Sequence, residues 1–256
     1  MLPFLPDVTV ESPRPEPRDA YEVSAEFYDI LQADRDRARV HRFYARDVRA
    51  ARLGVLDVGA GTGRVTFMSL AGSRVAVHAV EPARSMRSLL MTRLAALPAD
   101  LRGRVTVHPQ GLGEAGLRHV ADVAICHNTV GCLAPDARRA LWPAVADALV
   151  PGGVLLVHLP PDRLPHGEAT HVLPAQKVGQ HLYGGRMVMS ADTDRIRTRF
   201  EYWVRGARGV LREYTETFWM WPAARAEVIA ELAGSGFVAL PERADPAVLA
   251  VRLGRP

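Results

Sequence analysis

The chain is short of lysine, of cysteine and of long apolar runs, and each shortage excludes something. Lys177 is the only lysine, so arginine supplies almost all of the 32 basic residues. The net charge is only +4 and the arginines stand beside acids along the chain. Nucleic-acid recognition wants a clustered basic face, so no nucleic-acid partner is expected. Cys126 and Cys132 are the only cysteines. They make no disulfide framework and suit a reducing compartment. There is no run of about eighteen apolar residues to span a membrane. The start has no basic segment followed by an apolar core. A cytoplasmic location without membrane contact is the expectation. His158, His166, His171 and His181 sit among helix breakers at spacings that fit no tight zinc pattern, so no metal is expected.

What is present begins with Val55-Leu56-Asp57-Val58-Gly59-Ala60-Gly61-Thr62-Gly63-Arg64. An apolar strand ends in an acid and runs into glycines at alternate positions. Glycine lets a backbone turn tightly and lie close to a ligand. Residues 64–71 can form a helix, which places free amides at the loop. A dinucleotide fingerprint reads G-x-G-x-x-G and takes a pyrophosphate. Here the glycines read G-x-G-x-G, and Asp57 would repel phosphate. An acid there suits a ligand with a cationic amine and no phosphate, such as S-adenosylmethionine. A second valine-rich strand, 74–81, ends in Glu81 about twenty residues past the glycines, where an acid can hold ribose hydroxyls.

The run resembles the first motif of the class I S-adenosylmethionine-dependent methyltransferases, and every position of that pattern is filled. Leu149-Val150-Pro151-Gly152-Gly153 before an apolar strand resembles a second family turn, as does the order helix, Gly236-Phe237, strand near the end. The resemblance implies an α/β fold, Rossmann-like and doubly wound, with seven strands, mostly parallel, and an antiparallel final strand. It implies the cofactor S-adenosylmethionine, with S-adenosylhomocysteine as product. The implied cofactor residues are Asp57, Gly59, Ala60, Gly61, Gly63, Glu81, Pro82 and Met86, and Met86 equally fits the core of a helix over 84–97. The family places an acid soon after the third strand, Val105–His108, to meet the adenine amine. This chain has Pro109-Gln110-Gly111-Leu112 instead, so Gln110, Gly111 and Leu112 are the candidates there.

The fourth strand, 121–126, delivers His127 and Asn128 to the edge where ligands collect in open α/β sheets. His127 is a candidate for cofactor contact and for general base. A Pro-rich tail over 1–19 precedes a single domain over 20–256. Helices over 20–52 resemble the lid of small-molecule methyltransferases: Tyr21 and Tyr28 there could close over the cofactor or face the acceptor, and 34–52 reads as amphipathic and largely solvated. Residues 159–221 read as a substrate-facing insertion followed by an antiparallel hairpin, 195–204 with 210–221. That hairpin resembles the one in sugar-amine and glycine-type N-methyltransferases, which roofs the acceptor or pairs subunits. Tyr28, His158, His171, Arg197, Tyr202 and Trp219 are the acceptor candidates, although a cross-strand aromatic ladder would explain the hairpin residues equally well.

The expected function is methyl transfer to N or O of a small molecule, in secondary metabolism. Two other readings stay open: a fold that binds S-adenosylmethionine without transferring methyl, and an RNA methyltransferase.

Overall fold

A computed structural model describes residues 21–254, so the expected tail over 1–19 lies outside the described residues. In chain order the elements are α1 (Ser24–Ala50), β1 (Gly54–Val58), α2 (Arg64–Gly72), β2 (Ala76–Val80), α3 (Arg84–Ala95), α4 (Ala99–Arg102), β3 (Val105–His108), α5 (Leu112–Ala115) and β4 (Ala121–Cys126). They continue with α6 (Pro135–Ala148), β5 (Leu149–His158), β6 (Ala169–Val178), β7 (His181–Asp192), β8 (Arg195–Gly206), β9 (Gly209–Met220), α7 (Arg225–Ala233), β10 (Phe237–Ala239) and β11 (Val248–Leu253).

Seven strands form one sheet in the order β10-β11-β5-β4-β1-β2-β3. β1 pairs in parallel with β2 and β4, and β11 runs antiparallel to β5. All five residues of β1 are buried, as a central strand covered on both faces must be. One side packs Leu56, Leu155 and Leu249 against Trp142 of α6 and Val228 and Leu232 of α7. The other side packs Val55, Ile125 and Leu156 against Val40, Phe43, Tyr44 and Val48 of α1. The chain switches direction between β1 and β4, and the crevice at their carboxyl ends is where such sheets bind ligands. Register fixes what meets there. Val58 lies beside Val80, which makes Gly59 a neighbour of Glu81. Cys126 lies beside Val157, which makes His127 a neighbour of His158.

Two expectations are corrected. Residues 34–52 do not form a separate, solvated helix. They continue α1 without a break, because the spacing of Val40, Phe43, Tyr44 and Val48 is a helical stripe that the parallel sheet buries. The insertion ahead of the hairpin is itself two strands. β6 and β7 pair with each other and then with β8 and β9, so the expected two-stranded hairpin is half of a four-stranded antiparallel sheet. Pro174, Gly184 and Gly185 interrupt the strand pattern there. Pro174 falls where the β6–β7 register shifts, on an edge strand, which is where a strand tolerates proline. Gly184 is required because the Trp203 ring lies 2.1 Å from where a Cβ would stand.

Helix α1 packs on both sheets. Its amino-terminal half buries Phe27 and Leu31 against Leu173, Tyr202 and Val204 of the antiparallel sheet. Phe27 stacks on Tyr202 with centroids 4.5 Å apart. Glu216 of β9 accepts the Ser24 amide at 2.7 Å, so a carboxylate from the second sheet satisfies a free amide at the start of this helix.

Candidate active site

The glycine loop follows β1. Gly59, Gly61 and Gly63 all have positive φ, at 71°, 57° and 92°, a region that costs residues with a Cβ. A Cβ on Gly63 would also stand 2.5 Å from Leu90. Gly61 differs: nothing lies within 4 Å of its would-be Cβ, so this corner of the loop faces open space. Glu81 reaches back to the loop. Its Oε2 accepts the Gly61 amide at 2.7 Å and its Oε1 accepts the Ala83 amide at 2.8 Å. Arg87 braces the same turn by donating to the carbonyls of Glu81 and Pro82, each at 2.8 Å.

Asp57 lies beneath the loop, 1 % exposed, and its Oδ2 accepts the Thr66 hydroxyl at 2.6 Å. Burial pushes its carboxyl up to about 7, and Glu81 adds to that shift. Ala60 packs in a core cluster with Leu90 and Leu94. Met86 is buried and Pro82 is exposed. After β3, Leu112 packs its side chain into the main core, so only its backbone can face a ligand. Gly111 has open space around it. Gln110 Oε1 is buried and has no hydrogen-bond partner among the described residues, which is what an acceptor waiting for an amine looks like.

The loop is bolted to α1 by residues that the sequence did not advertise. Arg64, the last residue of the glycine run, pairs with buried Asp36 and with Asp29 at 3.2 Å. It also donates to the carbonyls of Tyr28 and Gln32 and lies over the Tyr28 ring at 4.6 Å. Asp29 accepts the Thr62 hydroxyl at 2.8 Å, and Arg93 of α3 joins Asp29 to the Thr62 carbonyl. The signal for this network was the Tyr28-Asp29 pair and an arginine adjoining the glycines.

On the site side of α1, burial pushes the Tyr28 hydroxyl up to about 12, against the lowering effect of Arg64 and a hydrogen bond with Asn128. Asn128 is exposed and has positive φ, 56°, which asparagine tolerates. Tyr21 also has positive φ, 74°. Its ring stacks on Phe218 at 4.6 Å. Burial raises its hydroxyl well above the ordinary value, with Cys132, Tyr28 and Glu81 close enough to add to the shift. Tyr21, Tyr28, Asn128 and Cys132 therefore come together beside Glu81.

His127 is buried between the ends of β4 and β5 and α1. Its Nδ1 lies 3.0 Å from the Tyr44 hydroxyl, and its ring stacks on His158 at 5.0 Å. Burial, with His158, Arg39 and Arg64 adding, pushes its pKa down to about 3. Burial and Arg39 push His158 down to about 4. Both rings are neutral at neutral pH.

Four acceptor candidates stand elsewhere. In β8 the even-numbered residues Ile196, Thr198, Tyr202 and Val204 are buried on the α1 side. Arg197 and its cross-strand neighbour Trp219 have the opposite parity and lie on the outer face, where Arg195 covers the Trp219 ring at 3.7 Å. Tyr202 faces α1, but its ring is spent on Phe27 and its hydroxyl donates to Ser24 at 3.0 Å. His171 is exposed on the edge strand β6. The period-two alternation of a strand decides these placements.

Residues 56–155 match the family described as Methyltransferase domain. The whole fold is similar to those of many solved structures, these three among them. A sugar N-methyltransferase from Streptoalloteichus is 22% identical, with 99% of this chain and 100% of that chain covered and a TM-score of 0.70. DesVI from Streptomyces venezuelae is 21% identical, covering 91% and 100%, with a TM-score of 0.74. The S-adenosylmethionine-bound amino pentose methyltransferase of calicheamicin biosynthesis from Micromonospora echinaspora is 22% identical, covering 91% and 95%, with a TM-score of 0.67. No curated protein matches the chain.

Proposed function

We propose, from the premise that this chain is an S-adenosylmethionine-dependent methyltransferase with the class I fold, that its acceptor is the amino nitrogen of a small, oxygen-rich molecule of the amino-sugar kind, in secondary metabolism. The observation that carries this reading is the neutral wall beyond the glycine loop. Tyr21, Tyr28, Asn128 and uncharged His127 gather there, while the nearby cation Arg64 is consumed by Asp29 and Asp36. An amine that arrives as its free base attacks without a strong base, whereas a hydroxyl must first be deprotonated, and this wall offers no strong base. The amino-pentose and sugar-N acceptors of the similar structures support the same choice.

The residues present fit the cofactor: Gly61 opens to solvent, Gln110 Oε1 is a buried acceptor without a partner, and Glu81 offers a carboxylate at the end of β2. When bound, S-adenosylmethionine supplies a methyl group activated by its sulfonium. Asp57 would face its amine through the loop, Glu81 its ribose and Gln110 its adenine. Tyr28, held by the Arg64 network, and Tyr21, stacked on Phe218, align the acceptor and exclude water, which is most of what such a displacement asks of a protein. The exposed apolar side chains Val172, Val210 and Leu211 on the antiparallel sheet support a second copy of the chain as partner, with analytical ultracentrifugation as its test. No helix among the described residues is long and apolar enough to cross a membrane.

The test is twofold. Isothermal titration with S-adenosylmethionine is expected to show micromolar binding that Asp57→Ala and Glu81→Ala both weaken. Turnover against paired amino sugars and their hydroxyl analogues is expected to release S-adenosylhomocysteine only with the amines. Unchanged binding in both variants overturns the cofactor site, and preferred turnover of the hydroxyl analogues overturns nitrogen as the acceptor atom. Binding without release of S-adenosylhomocysteine across the panel would favour the non-methylating reading.

A further inference from the structure

The hydrogen-bond accounting around His127 carries an inference that rests on the reading above. Tyr44 is fully buried, and the described residues give its hydroxyl one hydrogen bond, the 3.0 Å contact with His127 Nδ1. His127 Nε2 is buried and has no partner among them. The imidazole stands edge-on to Tyr44, with interplanar angle 82°, and is flanked by Phe43 and by His158. Packing therefore leaves little freedom to turn the ring.

A neutral imidazole carries one proton, and its two placements are unequal here. If Nδ1–H donated to the Tyr44 oxygen, the tyrosine proton would be buried with no acceptor and Nε2 would present a bare lone pair. Two groups would then go unsatisfied. If Tyr44 donates to Nδ1, the proton sits on Nε2 and only that N–H lacks a partner. Leaving fewer buried polar groups unmade is the favoured state. The groups facing the ring are Tyr44 and Arg39 from α1, Arg64 from α2 and His158 from β5, none of them an anion that would hold a second proton on it.

We propose that Tyr44 locks His127 in the Nε2–H form, so that His127 is a hydrogen-bond donor to an oxygen of the acceptor and not its general base. Tyr44 is the positioning residue. The donor cannot be aimed at the reacting nitrogen, whose lone pair is needed for the methyl group. It is aimed at a hydroxyl or ring oxygen next to the amine. The acceptor class is thereby narrowed to amines with a neighbouring oxygen. The opposite tautomer would have suited a base.

The experiment uses the full chain with an amino sugar turned over in the panel above. Two-bond ¹H–¹⁵N correlation on the resting protein, with His127→Gln to assign the signals, is expected to place the proton on Nε2. Tyr44→Phe, which keeps the packed ring, is expected to give a mixture of the two forms and lower kcat/KM about tenfold, with S-adenosylmethionine affinity unchanged. His127→Gln keeps a neutral donor and is expected to stay within about tenfold of the parent. His127→Leu is expected to lose about 10²-fold or more, the usual effect of removing one aimed donor. An acceptor analogue lacking the neighbouring oxygen should lose a similar factor in the parent and no more in His127→Leu. A proton on Nδ1, or His127→Gln as inactive as His127→Leu, overturns the proposal. The nuclear magnetic resonance result is independent of methyl transfer, so failure of the amine reading and failure of the tautomer lock are told apart.

Discussion

The proposed cofactor end and the proposed acceptor end of this site are built in opposite ways. Asp57, the glycines, Thr66, Glu81 and Arg87 belong to one strand–helix–strand stretch and the first turn of the helix after it, so parallel pairing of β1 with β2 is enough to bring them together. The proposed acceptor end draws Tyr21 from just before α1, Tyr28 from α1, His127 and Asn128 from the end of β4, His158 from β5 and Phe218 from β9. It exists only because α1 packs on both sheets at once. A local site survives small shifts between sheets. An assembled one depends on every contact that holds the helix.

That contrast can be broken most severely at Phe27. Phe27→Ala is expected to cost about 4 kcal/mol of stability, the range for a fully buried aromatic, read by urea unfolding. In whatever remains folded it should lower acceptor kcat/KM far more than cofactor affinity. Next is Arg64→Met, which leaves Asp36 charged and buried without its partner. A loss of about 3 kcal/mol is expected, and Asp36→Leu added to it should return most of that in the same assay.

At the cofactor end, Glu81→Ala is expected to weaken S-adenosylmethionine binding roughly a hundredfold, about 2.7 kcal/mol, by calorimetry. Acceptor KM at saturating cofactor should change little. Asp57 makes a smaller, pH-dependent contribution. Its folded pKa, about 7, lies above the ordinary carboxylate value of 3.8. Below that ordinary value both states are protonated. As pH rises towards about 7 the unfolded chain gives up a proton that the folded chain keeps, so stability falls and then levels off. Asp57→Asn lacks this fall. Its stability relative to the parent should therefore rise between pH 4 and 8, as thermal melts at each pH would show. The smallest effect belongs to the outer face: Arg197→Ala and Trp219→Ala should each leave acceptor kcat/KM within about twofold, in the range of surface changes away from a site.

The same contrast explains what could be read from the chain. The acid–glycine order and the second acid are patterns over neighbouring residues, so the loop, the strand ends and the place of the crevice were legible. The helical stripe at 40, 43, 44 and 48 was masked by the arginines around it, so a segment that the sheet buries read as largely solvated. The four-stranded sheet was half hidden, because Gly184 and Gly185 look like loop residues until Trp203 and Tyr202 are seen lying against them. Strand parity then moved Arg197 and Trp219 out of the acceptor site, although their residue types suited it.

By itself the sequence determined the class of fold, the glycine turn and the two acids around it, since each follows from backbone preference and charge within one stretch of chain. Only the tertiary structure decided that Arg64 bolts α1 to that turn and that Tyr44 meets His127. These are contacts between distant segments, and their energy comes from excluding water around polar groups that no local pattern records.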